Sequence, residues 1–169
     1  MNGFLLKGRA HKFGDDINTD YIIAGKYTKT LNLNDLALHL FEDIDPNFSK
    51  KMKGGDLVVA GKNFGCGSSR EQAPIAIKES GIAAVLAHSF ARIFFRNSIN
   101  VGLPVLISKE AVEESGEGDI LEVNIESGKI YNKTTGKWYN SEPYPPQLVE
   151  IIKSGGLTSY TKRRLGINV

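Results

Sequence analysis

Leu57-Val58-Val59-Ala60-Gly61-Lys62-Asn63-Phe64-Gly65-Cys66-Gly67-Ser68-Ser69-Arg70-Glu71-Gln72-Ala73-Pro74 reads as a strand handed to a helix through a glycine loop. The apolar run 57–60 has the length and composition of a buried strand. Ile75-Ala76-Ile77-Lys78-Glu79, beyond the loop, continues as a helix. Gly61, Gly65 and Gly67 let the backbone turn sharply and come close to a ligand. Ser68 and Ser69 then fall where the helix is expected to begin, with Arg70 beside them. A helix start offers N–H groups without intrahelical partners and the positive end of the dipole, a ready place for a carboxylate or phosphate. Two hydroxyls and a guanidinium there point to chemistry on an anionic small molecule.

Downstream, Ile82-Ala83-Ala84-Val85-Leu86-Ala87 is a continuous apolar run, expected to be a buried parallel strand, with Gly81 closing the helix before it. Residues 90–99 have helical spacing, with Phe90, Ile93, Phe94 and Ile99 turned inward, and 103–107 form another short strand. Strand, helix, strand, helix, strand is an α/β core. Upstream, 4–12 is expected to be an edge strand, 13–20 a loop, and 21–24 a brief strand. A helix capped by Asn34 is expected to run through Glu42, and Gly54-Gly55-Asp56 to turn into the 57–60 strand. Beyond 109 the spacing predicts a helix to 115 and strands at 119–124 and 129–132, antiparallel around Ser127-Gly128. Residues 138–146 are turn-rich, and a last helix from 146 to 153 ends at Gly155-Gly156. No composition shift marks a boundary, so 1–169 is expected to be a single domain.

A chain of 169 residues buries roughly 70% of its unfolded surface and needs no disulfide or metal to fold. Its net charge of +2 gives no argument for nucleic acid, and Lys162-Arg163-Arg164 reads as a solvated basic terminus. The single cysteine, Cys66, excludes an internal disulfide, and one thiolate holds neither a zinc site nor an iron–sulfur cluster. A reducing, cytoplasmic setting fits. The first residues turn polar too soon for a signal peptide, and no apolar run approaches the roughly 20 residues of a membrane helix.

The loop fails the common phosphate-loop templates. Lys does not follow Gly67 as a Walker loop demands, Arg70 stands where a dinucleotide fingerprint needs glycine, and Glu71 breaks a nucleophile elbow. From the residues alone it is an anion-binding loop, or a structural turn whose serines cap the helix. Cys66 reads as a small residue suited to a tight turn. Asp15, Asp16, Asn18 and Asp20 lack the spacing of a calcium loop and read as turn formers. His11, His39 and His88 share no ligand spacing. Arg92 and Arg96, one turn apart, form either a carboxylate clamp or a solvated or interface-facing surface.

Three blocks together carry a resemblance: Gly14-Asp15-Asp16-Ile17-Asn18-Thr19-Asp20-Tyr21-Ile22-Ile23, the loop at 61–74, and Ser89-Phe90-Ala91-Arg92-Ile93-Phe94-Phe95-Arg96-Asn97-Ser98 running into Gly102-Leu103-Pro104. In this order they resemble the small subunits of the aconitase-like hydro-lyases, the isopropylmalate isomerases and homoaconitases. The resemblance spans nearly the whole chain. It implies a swivelling β/β/α domain like the mobile fourth domain of aconitase, paired with a large subunit that carries a four-iron four-sulfur cluster. It leaves open self-association of the isolated subunit.

The resemblance also implies roles for residues. Ser68 would be the catalytic base, taking the proton from a carbon next to a carboxylate. Arg70 would bind the substrate carboxylate and stabilise the alkoxide, with Ser69 and Thr19 beside it and Asp20 supporting the hydrogen-bond network. Gln72 departs from the histidine common in relatives. Substrate choice would be read by Tyr27, Thr28, Lys29 and Thr30. An apolar loop there suits an isopropyl group and an arginine suits an extra carboxylate. Lys29 is neither. The expected reaction is interconversion of 2- and 3-isopropylmalate through isopropylmaleate, in leucine synthesis. The alternatives are a homoaconitase or other substituted-malate dehydratase acting on a dicarboxylate or tricarboxylate hydroxy acid, and, more remotely, a non-catalytic anion-binding module.

Overall fold

The computed structural model describes residues 4–29 and 32–167. Strands β1 (Leu5–Lys12), β2 (Leu57–Ala60), β3 (Ala84–Ala87), β4 (Val105–Ile107), β5 (Ile120–Asn124), β6 (Lys129–Asn132) and β7 (Lys137–Asn140) form one sheet in the order β4-β3-β2-β1-β5-β6-β7. β1 to β4 run parallel, and β5, β6 and β7 continue antiparallel from the other side of β1. The helices are α1 (Thr19–Ile22), α2 (Leu33–Leu38), α3 (Phe48–Lys51), α4 (Gln72–Glu79), α5 (Arg92–Val101), α6 (Lys109–Glu114), α7 (Pro146–Lys153) and α8 (Leu157–Arg164). A 3₁₀ turn spans Gly25–Tyr27. No helix among the described residues is long and apolar enough to cross a membrane.

Alternation along the parallel strands builds two cores, one on each face of the sheet. Val58, Ala60, Val85, Ala87 and Val105 pack against α4 and α5 through Ala76, Ile77, Phe94 and Ile99, with Phe41, Phe48 and Phe64 fully buried among them. Leu57, Val59, Ala84, Leu86 and Leu106 face the other way, onto Val112 of α6 and onto Leu121, Val123, Ile130 and Tyr139 of the antiparallel half. One core thus serves both halves, and the sheet curls until its edges approach. Glu142 N–H donates to Ile107 O (3.1 Å), and Ser108 Oγ to Asn140 O (2.8 Å). Each fully buried aliphatic or aromatic side chain contributes about 1.5–3 kcal/mol.

The α/β class and the alternating strands and helices from 57 to 114 are as the sequence predicts. Four local readings are corrected. β1 is the middle strand and not an edge: its first half pairs with β5 and its last residues with β2. Residues 21–24 are not a strand, because Asn18 accepts the Tyr21 N–H (3.0 Å) and winds α1 instead. α2 is capped by Asn32, not Asn34, and stops at Leu38 rather than running to Glu42. Finally, β7 occupies part of the segment read as turns. The basic cluster is exposed, as expected, on the last turn of α8.

Candidate active site

β1, β2 and β3 are parallel, so the chain leaves all three at the same end of the sheet. The segments that follow them, 13–23, 61–71 and 88–91, meet there. Ligand sites of open α/β sheets lie at this carboxyl end. Asp15 Oδ1 accepts the Lys62 N–H (2.7 Å), Asp16 Oδ1 accepts Asn63 Nδ2 (2.9 Å), and Gly65 N–H donates to Ile17 O (2.7 Å). Asn63 N–H reaches Ser89 Oγ (2.9 Å), and Phe64 is bridged on both sides to the 89–91 segment. The acidic residues at 15 and 16 thus brace the glycine loop, beyond the local turns expected of them. Among the described residues no group of three potential metal ligands occurs.

Within this frame the loop runs to α4 without the cap the sequence suggested. α4 starts at Gln72, its Glu71 flank supplies no side-chain cap, and Ser68 and Ser69 lie short of the first turn. Arg70 N–H instead donates back to Ser68 O (2.8 Å), folding the chain at Ser69 and leaving both serine side chains exposed. Thr19, almost fully buried, fixes the segment from below. Its N–H donates to Cys66 O (2.9 Å) and its Oγ1 to Ser68 O (3.0 Å). Arg70 Nη1 pairs with Asp20 Oδ1, so the first two blocks also join through a charge pair. Burial, then the nearby Asp16 charge, pushes the Cys66 thiol above its ordinary range, which makes it a poor thiolate and fits its reading as a small residue in a tight turn.

The segment at 25–29 closes the arrangement. The guanidinium of Arg70 lies on the Gly25 backbone, where an added methyl group would stand 3.2 Å from Nη1 and 3.3 Å from Nη2. Tyr27 is engaged by His39 and Glu42. Its hydroxyl donates to Glu42 Oε1 (2.9 Å) and its ring stacks on His39 with centroids 3.7 Å apart. Thr28 bonds back to Gly25 O (2.7 Å), and Lys29 is exposed. Thr30 lies outside the described residues. Arg92 and Arg96 sit on the exposed face of α5, beside a hollow of about 650 Å³, with no hydrogen bond or ion pair to the 68–70 segment among the described residues. Gly25, His39, Glu42 and Ser89 were missed as parts of this frame, since each reaches its partner through the fold rather than through sequence spacing.

Residues 16–110 match the family model described as the aconitase C-terminal domain. The chain is 54% identical over 162 residues to a 3-isopropylmalate dehydratase small subunit of Thermodesulfovibrio yellowstonii, covering 96% of each chain. It is 57% identical over 155 residues to small subunit 1 of that enzyme from Archaeoglobus fulgidus, covering 92% of this chain and 96% of the relative. The crystal structure of a 3-isopropylmalate dehydratase from Methanocaldococcus jannaschii superposes with a TM-score of 0.91 at 51% identity, over 96% of both chains. The chain therefore belongs to the aconitase C-terminal domain family, among its 3-isopropylmalate dehydratase small subunits.

Proposed function

We propose that this chain is the small subunit of a hydro-lyase that isomerises 2- and 3-isopropylmalate in leucine synthesis, and that Ser68, Arg70, Asp20 and Thr19 are its catalytic and substrate-binding contribution. The observation that supports this most is their convergence. Segments far apart in the chain bring an exposed hydroxyl, an oriented guanidinium and its carboxylate partner onto one open edge.

Each residue has a chemical task in this reading. Arg70 offers two donors of its planar fork to a substrate carboxylate while Nη1 stays on Asp20. Ser68 Oγ takes the proton from the carbon beside that carboxylate. The hydroxyl is a weak acid in water, so its alkoxide needs the Arg70 charge and a site closed to solvent. Thr19 holds the Ser68 carbonyl and thereby the height of the serine above the loop. Ser69, Thr28, Lys29 and Thr30 are the further residues assigned to substrate binding in this reading.

The four-iron four-sulfur cluster that the family resemblance implies is assigned in this reading to the large subunit, since this chain's one cysteine does not fit it. When bound there it supplies the Lewis acid for the leaving hydroxyl. Cytoplasmic location follows from this metabolic assignment.

The test is turnover after anaerobic mixing with the cluster-loaded large subunit, with isopropylmalate and homoaconitate assayed side by side. Ser68→Ala is expected to lose at least about 100-fold in kcat while still pairing with the large subunit. A fully active variant would overturn the assignment of the base. Turnover of homoaconitate alone would overturn the substrate and make Lys29 the reader of a further carboxylate.

A further inference from the structure

We infer that Tyr27, His39 and Glu42 form a clamp that positions Arg70, and that Tyr27 is a positioning residue with no contact to substrate. The inference rests on the reading of Arg70 given above and replaces the expectation that Tyr27 binds substrate.

The clamp starts on a firm base. His39 ends α2, between Leu36 and Leu40, both fully buried, and Phe41 N–H donates to Ile22 O (2.9 Å), tying this region to α1. Glu42 lies one turn on and pairs with His39 Nδ1. Onto this pair Tyr27 docks by both of its functional parts. The ring lies parallel to the His39 ring, within 6°, and the hydroxyl reaches Glu42 Oε1 at 2.9 Å and Oε2 at 3.3 Å. Lys26 Nζ covers the outer side, 4.8 Å from the Tyr27 ring centroid and 3.7 Å from Glu42 Oε1. The Tyr27 hydroxyl proton is already given to Glu42, so it cannot be donated to a substrate without breaking the clamp.

The same turn is what Arg70 rests on. Tyr27 N–H donates to Ala24 O (3.0 Å), and Thr28 closes onto Gly25 O through both its N–H (3.2 Å) and its hydroxyl (2.7 Å). Fixing Tyr27 therefore fixes Gly25. The terminal nitrogens of the guanidinium lie against Gly25, and Asp20 pairs with Nη1. With that end seated between Gly25 and Asp20, the direction of the remaining N–H groups is set. Moving Gly25 by a few tenths of an ångström would tilt those groups off the substrate carboxylate, and bidentate geometry is sensitive to such a tilt.

The test uses the enzyme assembled with its large subunit and steady-state kinetics on 3-isopropylmalate. Tyr27→Phe keeps the stacked ring and deletes the hydroxyl. It is measured in the Arg70 enzyme and again in Arg70→Lys, which has no planar fork to orient. The expected result is a fall in kcat/KM on the order of 5- to 10-fold in the first background, most of it in KM, and less than about 2-fold in the second. Gly25→Ala is expected to follow the same pattern. Equal losses in both backgrounds would overturn the clamp, since Tyr27 would then act on substrate directly or on the fold alone. Arg70→Lys with unaltered kinetics would overturn the site reading and the clamp with it. Should Tyr27→Phe fail to assemble, His39→Phe, which keeps the stacked ring and removes Nδ1, carries the same comparison.

Discussion

A methyl group at Gly65 would stand 2.2 Å from Phe94 Cγ, on a backbone held at a φ of 79°. Neither the ring nor the turn can yield, because Phe94 is itself packed edge-on against Phe64. Gly65→Ala is expected to cost about 3 kcal/mol or more, overpacking and the left-handed backbone adding together, as read by chemical denaturation. A cost below about 1 kcal/mol would show that the loop can move off Phe94. Asp20 should behave in the opposite way. It is largely exposed, so Asp20→Asn is expected to leave stability within about 0.5 kcal/mol yet lower kcat/KM by about 10-fold in the assembled enzyme, because Arg70 loses its anchor. Unchanged kinetics would remove Asp20 from the site. The loop glycines, the paired serines and Arg70 were legible in the sequence because each announces itself within a few neighbours. Gly25 and Glu42 were not: their importance comes from what the fold lays against them, and no spacing rule encodes that.

At the scale of elements, β4 and β1 show how edges and ends are secured. β4 is the outer parallel strand, and Tyr144 covers it by accepting the Val105 N–H (3.0 Å) and donating to Val105 O. Burial, partly offset by that hydrogen bond, pushes the Tyr144 hydroxyl well above the ordinary tyrosine range, so it stays a donor at any working pH. Tyr144→Phe is expected to cost about 1–3 kcal/mol, since it strands a backbone donor and acceptor. β1 is tied to the turn before β2 by Asp56, which accepts from His11 Nε2 (2.8 Å), Lys53 N (2.9 Å) and Arg9 N (3.2 Å). Burial raises the Asp56 carboxyl, and these three hydrogen bonds more than reverse it, leaving a net lowering. A depressed folded value means that the stabilisation is present above the unfolded carboxylate value of about 3.9 and is lost as pH falls through the folded one. Thermal melts from pH 6 down to 3 should therefore steepen below about pH 4, and Asp56→Asn should flatten that acid limb while lowering stability at neutral pH. An acid limb unchanged in the variant would assign the loss to other carboxylates. The sequence suggested an edge for β1 because Lys7, Arg9 and Lys12 make it look half-solvated. Those side chains leave at the rim while Ala10 and His11 are buried. The buried strands at 57–60 and 84–87 were legible because both faces are covered, so nothing polar interrupts them.

Across the whole molecule, the curled sheet places the ends of three parallel strands side by side and leaves that end uncovered, with Ser68, Ser69 and Asp20 in solvent. On the proposed reading this is half of a site. A serine in water is no base, and an arginine with a free edge binds a carboxylate only weakly against solvent. The chemistry needs a second surface that excludes water, and the family relation supplies one in the large subunit. The isolated chain is accordingly expected to show no hydro-lyase turnover, and 3-isopropylmalate added to it should leave amide hydrogen exchange at Ser69, Glu71 and Gln72 unchanged. No acceptor among the described residues takes these N–H groups, so they exchange freely. Adding the large subunit with substrate should slow their exchange together with the onset of turnover, while amides of β5 and β6, on the far half of the sheet, stay as they were. Turnover by the chain alone, or protection that appears on β5 and β6 and not at 69–72, would place the second surface elsewhere and require a different face of the fold to meet the partner.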